Sequence, residues 1–193
     1  MEDEAAAGKG GYAMNIIHHG GHQILLLTAG TGDKPLLRNL MQLYLHEISE
    51  FTGADPDDHG IFDYPEFDHY FTAEGRQEGR LPILIRIDGT AAGFAMINGF
   101  SLVAPRTPST RHLSDFLILR KWRRRSIGKA VVREIFDSYP GLWEIKQRRE
   151  HEGARQFWLT VVREYTAGGF KEIELDDGRW NGYIQTFDNR SRL

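Results

Sequence analysis

Leu113-Ser-Asp-Phe-Leu-Ile-Leu-Arg-Lys-Trp-Arg-Arg-Arg-Ser-Ile-Gly-Lys-Ala130 is the stretch on which the reading of the chain turns. Phe116 to Leu119 form an apolar run of strand length. Arg120 to Arg125 then carry five positive charges around Trp122. Ser126-Ile127-Gly128 lead into a pattern of helical period. A strand that turns directly into a helix aims unpaired helix N–H groups past the strand end, which makes an anion site, and the arginines add full charge to it.

The flanking segments supply a sheet and its covering helices. Ile24–Leu27 reads as a first strand. Asp33 and Pro35 start a helix whose Leu37, Leu40, Met41, Tyr44, Ile48 and Phe51 form one packing stripe, ended by Thr52-Gly53. Within Asp55–Gly75, Phe62, Tyr64, Phe67, Tyr70 and Phe71 lie among acids and histidines. That composition suits either a ligand pocket or a short helix packed on the sheet. Leu81–Ile87, Asp88-Gly89 and Ala92–Phe100 read as a hairpin. Further strands are expected at His112–Leu119 and Leu142–Gln147, helices at Ile127–Tyr139 and Ala154–Tyr165, and a closing hairpin from Phe170 to Phe187. The expected fold is α/β (α+β): one mixed, mostly antiparallel sheet of about seven strands flanked by helices.

Composition narrows the function. The chain has 193 residues, net charge −3 and no cysteine, so thiolate catalysis, disulfides and thiolate metal sites are excluded. Charge is local rather than global, which argues against nucleic acid as the main partner. No apolar run is long enough to span a bilayer, and a cytoplasmic location is the default expectation. Residues 1–21 read as a mobile tail ahead of one domain over 22–193. His18, His19 and His22 lie at its end without acidic neighbours at ligand spacing, so no metal site is expected.

The order of elements and three motifs resemble the GNAT superfamily of acyl-CoA-dependent N-acyltransferases. Arg123-Arg124-Arg125-Ser126-Ile127-Gly128 is similar to the family's Gln/Arg-x-x-Gly-x-Gly/Ala turn, with Ser126 at the first glycine. Asp88–Phe94 resembles the family's hairpin of second and third strands. Ala154–Trp158 through Gly169-Phe170 resembles its last helix, with His151 where Asn is common. The resemblance implies an acetyl-CoA co-substrate without a metal. Its pyrophosphate would lie on Arg123, Arg124, Arg125, Ser126, Ile127, Gly128 and Lys129, and its pantetheine arm along Leu117, Ile118 and Leu119 with Phe157 nearby. The Leu119 N–H would donate to the thioester oxygen. A primary amine of a small molecule or peptide would attack directly. Trp158 takes the usual place of a tyrosine acid, so Tyr165 is the candidate acid. Asp115 and His112 are candidate bases, on opposite strand faces by their odd separation, and Glu144 is a weaker one. The alternative is a non-catalytic domain that senses acyl-CoA or binds nucleic acid. The loops at Asp55–Gly75 and Ser101–Arg111 would set the acceptor or form a dimer contact.

Overall fold

β-branched and leucine-rich runs separated by Gly and Asp turns build a sheet whose two faces are both covered. The computed structural model describes residues 12–192, with side chains over 15–191. The strands are β1 (Tyr12–His19), β2 (His22–Thr28), β3 (Leu81–Ile87), β4 (Thr90–Asn98), β5 (Thr110–Ile118), β6 (Leu142–Arg148), β7 (Lys171–Asp176) and β8 (Asn181–Asp188). The helices are α1 (Lys34–Thr52), α2 (Ala73–Gln77), α3 (Ile127–Ser138) and α4 (Glu152–Thr166). All eight strands form one sheet in the order β1-β2-β3-β4-β5-β6-β8-β7. Every pairing is antiparallel except β5 with β6.

The expected mostly antiparallel sheet is therefore present with eight strands instead of about seven. The addition is β1, which lies in the segment read as a mobile tail; residues 1–11 of that segment are outside the described residues. Residues 12–19 lack an alternating pattern, but Gly20 and Gly21 both adopt positive φ and fold them back onto β2 as a two-residue hairpin. His19 contacts the Arg125 carbonyl and His22 pairs with Asp88, so both serve the hairpin's docking.

Ile83, Ile85, Ala95 and Ile118 pack on one face against Val131, Val132, Ile135 of α3 and Val161, Val162 of α4. Leu84, Phe94, Met96 and Leu117 pack on the other against Leu37, Leu40, Met41 of α1 and Phe67, Tyr70, Phe71. Three of the five aromatics of the Asp55–Gly75 segment are thus buried core.

The pairing of β5 decides where a ligand can enter. It hydrogen-bonds β4 along its length, but it pairs with β6 only at residues 110–112 against 142–144. A bulge at Ser114 interrupts the β4–β5 register, and the Ser114 hydroxyl donates to the Met96 carbonyl there. A bulge bends and twists its strand, and β5 leaves β6 just beyond it. On the β4 side the backbones come close: a Cβ at Gly93 would lie 1.9 Å from the Leu117 carbonyl oxygen. We predict that Gly93→Ala destabilises the protein by about 3 kcal/mol, read as a lower urea midpoint, because the β4–β5 ladder must shift to admit the methyl group.

Candidate functional site

β5 and β6 diverge into a cleft with two connected chambers. The larger, 670 Å³, is lined by Phe116, Leu117, Ile118, Arg123, Arg124, Ser126, Gly128, Lys129 and Phe157 among others. The smaller, 270 Å³, is lined by Asp115, Lys146, Gln147, Arg148 and Trp180. Tyr44, Ile48, Phe51, Phe116, His151, Ala154 and Trp158 belong to both walls and join them. The C-terminal half of the α1 stripe, read as packing surface, therefore faces the cleft.

The open edge of β5 can be assigned by alternation. Leu119 donates its N–H to the Ala92 carbonyl at 2.8 Å, across β4. Donors alternate along an antiparallel strand, so Phe116 and Ile118 present their N–H groups to the gap. This corrects the expectation for Leu119: its amide is used inside the sheet. The Ile118 carbonyl accepts from Arg123 Nε at 2.6 Å.

At the mouth of the larger chamber the chain turns sharply. Arg124 and Ser126 have φ of 61° and 57°. Left-handed backbone costs a non-glycine residue about 1 kcal/mol, which is the physical sense of a glycine at position 126 in the resembling motif. The first backbone bond of α3 runs from Ala130 to the Ser126 carbonyl. Among the described residues, the N–H groups of residues 124–129 have no backbone acceptor. They form a cluster of free donors backed by the positive helix end. A Cβ at Gly128 would meet the Phe157 ring at 3.4 Å, so that ring lies against the helix start.

The basic run divides by partner. Arg120 and Arg123 bind Glu47 of α1, the latter at 2.6 Å. Lys121 and Arg125 lie over the Trp122 ring. Lys129 pairs with Glu164 at 2.7 Å. Arg124 lines the cleft and has no ion pair, hydrogen bond or ring contact among the described residues. Two expectations change. The Arg125 side chain lies outside the larger chamber's lining, and Ile127 is 1% exposed, leaving only its backbone to the loop. Trp122 is buried as well, which removes the aromatic that a nucleic-acid surface would offer for stacking.

Asp115 lies on the wall of the smaller chamber. Tyr64 donates to its carboxylate at 2.5 Å, and Tyr44 also hydrogen-bonds it. Burial pushes the Asp115 carboxyl above the usual range, opposed by hydrogen bonds from Tyr64, Ser114 and Tyr44 and by Lys146. A carboxylate has about four lone-pair sites, so acceptor capacity remains toward the cleft. Tyr64 thus has a use that its segment's composition suggested without specifying.

The other candidates are placed elsewhere. The bulge at Ser114 cancels the parity argument: Asp115 pairs with Met96, and His112 with Asn98, on the same face of the sheet. His112 is nevertheless outside both chamber walls, and both its ring nitrogens are buried without partners. Burial, with Lys146 adding to it, holds its pKa down at about 3. Glu144 accepts from the Ser101 hydroxyl and from the N–H groups of Leu102 and Val103, so it anchors that loop. Tyr165 donates to Asp137 at 2.8 Å and packs with Phe136 and Phe187, away from the cleft. The phenol lies on the far side of the α4 packing, and the expected acid role does not fit it.

His151 was legible only as a departure from a motif. It precedes α4, stacks on Phe51 at 4.0 Å, and its Nδ1 accepts the Ala154 N–H at 3.1 Å. An Nδ1 that accepts from a backbone donor is unprotonated, so the neutral ring carries its proton on Nε2. Burial lowers its pKa, opposed by Glu50. Trp158 packs edge-on against Phe116 and Phe157. No group of three or more metal-ligating side chains occurs among the described residues. No helix there is long and apolar enough to cross a membrane.

This geometry agrees with the comparisons. The Acetyltransferase (GNAT) family pattern matches residues 40–167, and the chain belongs to that family of acyl-CoA-dependent acetyltransferases. No curated protein sequence matches. Among solved structures, a GNAT-family acetyltransferase from Listeria monocytogenes 4b F2365 is similar with TM-score 0.59 and 17% identity, over 90% of this chain and 99% of that one. The GNAT domain of S. lividans PAT gives TM-score 0.62 at 10% identity, over 92% and 96%. An aminoglycoside acetyltransferase, AAC(6')-Ib, solved with coenzyme A and kanamycin, gives 0.57 at 15%, over 88% and 99%. At these identities the likeness is one of fold.

His112, buried beside the site, gives a test of the effect of burial. Its folded pKa of about 3 lies below the ordinary 6.5, so its contribution is present above 6.5 and lost as pH falls through that window. By about pH 5 the loss is about 2 kcal/mol. We predict that His112→Phe, which introduces no buried charge, flattens the stability–pH curve between pH 6.5 and 5 in urea titrations.

Proposed function

We propose that the chain is an N-acetyltransferase that moves the acetyl group of acetyl-CoA directly to a primary amine. The observation that carries this reading is the continuity of the cleft. It runs from free backbone donors at residues 124–129, along the unpaired edge of β5, to the buried Asp115 carboxylate.

The pyrophosphate is assigned to the N–H groups of residues 124–129, with Arg124 and Lys129 supplying charge. The pantetheine arm is assigned to the Phe116–Ile118 edge, walled by Leu117 and Phe157. Acetyl-CoA supplies an activated acyl carbon. The Phe116 and Ile118 amides are the donors available to its carbonyl oxygen, in place of Leu119. Asp115, buried and held by Tyr64 and Tyr44, takes the proton from the incoming ammonium group, so that the neutral nitrogen forms the new C–N bond as the C–S bond breaks. The His151 Nε2–H, at the junction of the chambers, hydrogen-bonds the departing sulfur, which leaves as a thiol by taking up the proton that the nitrogen loses as the amide forms. The acceptor is assigned to the 270 Å³ chamber, whose size favours a small molecule over a peptide. A cytoplasmic location belongs to the same reading and suits the cysteine-free composition.

Acetyl-CoA at about a hundredfold excess over its Kd is expected to raise Tm by roughly 5–10 °C. Arg124→Glu should remove most of that shift. No shift at millimolar acetyl-CoA would overturn the reading. With an acceptor amine, thiol release should fall with pH as Asp115 becomes protonated on the acid side. Asp115→Asn keeps the tyrosine hydrogen bonds; it should lower kcat by about 10²- to 10⁴-fold and abolish that acid limb.

A further inference from the structure

The smaller chamber has polar groups that acetyl transfer to a simple amine does not use. Lys146 and Arg148 are two residues apart on β6 and so share a face. Both lie over the Trp180 ring, at 4.7 and 5.4 Å, and Lys146 also faces Phe100 at 5.7 Å. Neither has an ion-pair partner among the described residues. Asp115 and Glu144 are the carboxylates near enough to act on Lys146, and both are already held, by the tyrosines and by the Ser101–Val103 loop respectively. His112, the other titratable neighbour, is neutral. Gln147 is 3% exposed, lines the same chamber, and has neither its amide nitrogen nor its amide oxygen satisfied.

A partly desolvated cation without a partner is costly unless a ligand supplies the anion. Here Lys146, partly buried, stands across the β5–β6 gap from a carboxylate suited to an amine, with the exposed Arg148 next to it. Ile48, Phe51 and Trp180 supply apolar surface between them. A polycationic acceptor would meet Lys146 and Arg148 as like charges.

We propose that the acceptor is an amino-acid-sized molecule whose amine is received by Asp115 and whose carboxylate is received by Lys146, with Arg148 beside it and the Gln147 amide lining the same chamber from the other face of β6. This rests on the acetyltransferase reading above. The volume of 270 Å³ matches the size of one amino acid.

The experiment uses the full chain and acetyl-CoA, with thiol release as the readout, across free amino acids each paired with its methyl ester. The ester keeps the skeleton and the amine and removes the negative charge. Its amine is also less basic, so intrinsic reactivity favours the ester and any preference for the acid comes from the protein. The expected result is kcat/KM higher for the free acids on the order of tenfold or more, carried mainly by KM. In Lys146→Met the acid-to-ester ratio should fall close to one. Esters equal to or better than acids in the wild type would overturn the proposal, as would a ratio that survives Lys146→Met. The wild-type comparison decides even where the variant fails to fold. Transfer to plain amines or polyamines without preference for acids overturns this proposal alone. Absence of transfer to every amine removes the acetyltransferase reading along with it.

Discussion

A parallel strand pair that lasts only three residues controls this molecule. β5 and β6 are joined at 110–112 and 142–144 and then separate, while each stays bonded to its outer neighbour. Backbone amides that part inside a covered sheet lose their partners without gaining bulk water. Such groups are expensive to leave unpaired. The opened edge is therefore a natural seat for a ligand that brings its own amides and carbonyls. The bulge at Ser114 sets the place where the strands separate, and it turns Asp115 toward Tyr64 and Tyr44.

The surrounding elements can be understood from what they do for that opening. α1 contributes its buried stripe to the sheet in its first half and a chamber wall in its second. Its Glu47 holds Arg120 and Arg123, which tethers the turn after β5 to the opposite side of the cleft. Such half-exposed ion pairs add little stability, about 0–1 kcal/mol each, so their importance is in position. With those two engaged and Lys121 and Arg125 against Trp122, the run of five cations reduces to Arg124 as the free guanidinium at the cleft. The aromatic segment between α1 and β3 divides in the same way: Phe67, Tyr70 and Phe71 are core, and Tyr64 reaches the site.

Much of the fold could be read from the chain because it depends on local signals. Asp88-Gly89 marked a hairpin, Thr52-Gly53 a helix end, and the change of period at Ser126 a strand-to-helix turn. β1 escaped because its residues do not alternate, although Gly20-Gly21 announced the turn. The site was less legible. Parity along β5 failed at a bulge, which has no reliable mark in sequence. Spacing put Tyr165 on the right helical face, but that face meets Phe136 and Phe187 at its far end instead of the cleft.

By itself the sequence determined the mixed sheet with covering helices, the basic turn ahead of α3 and the family to which that turn belongs, since each is written in residues adjacent along the chain. Tertiary structure decided which amide of β5 is free, which carboxylate keeps acceptor capacity, and which cations lack partners. Those properties depend on what lies across a gap between strands, and contacts at that range follow from the path of the backbone.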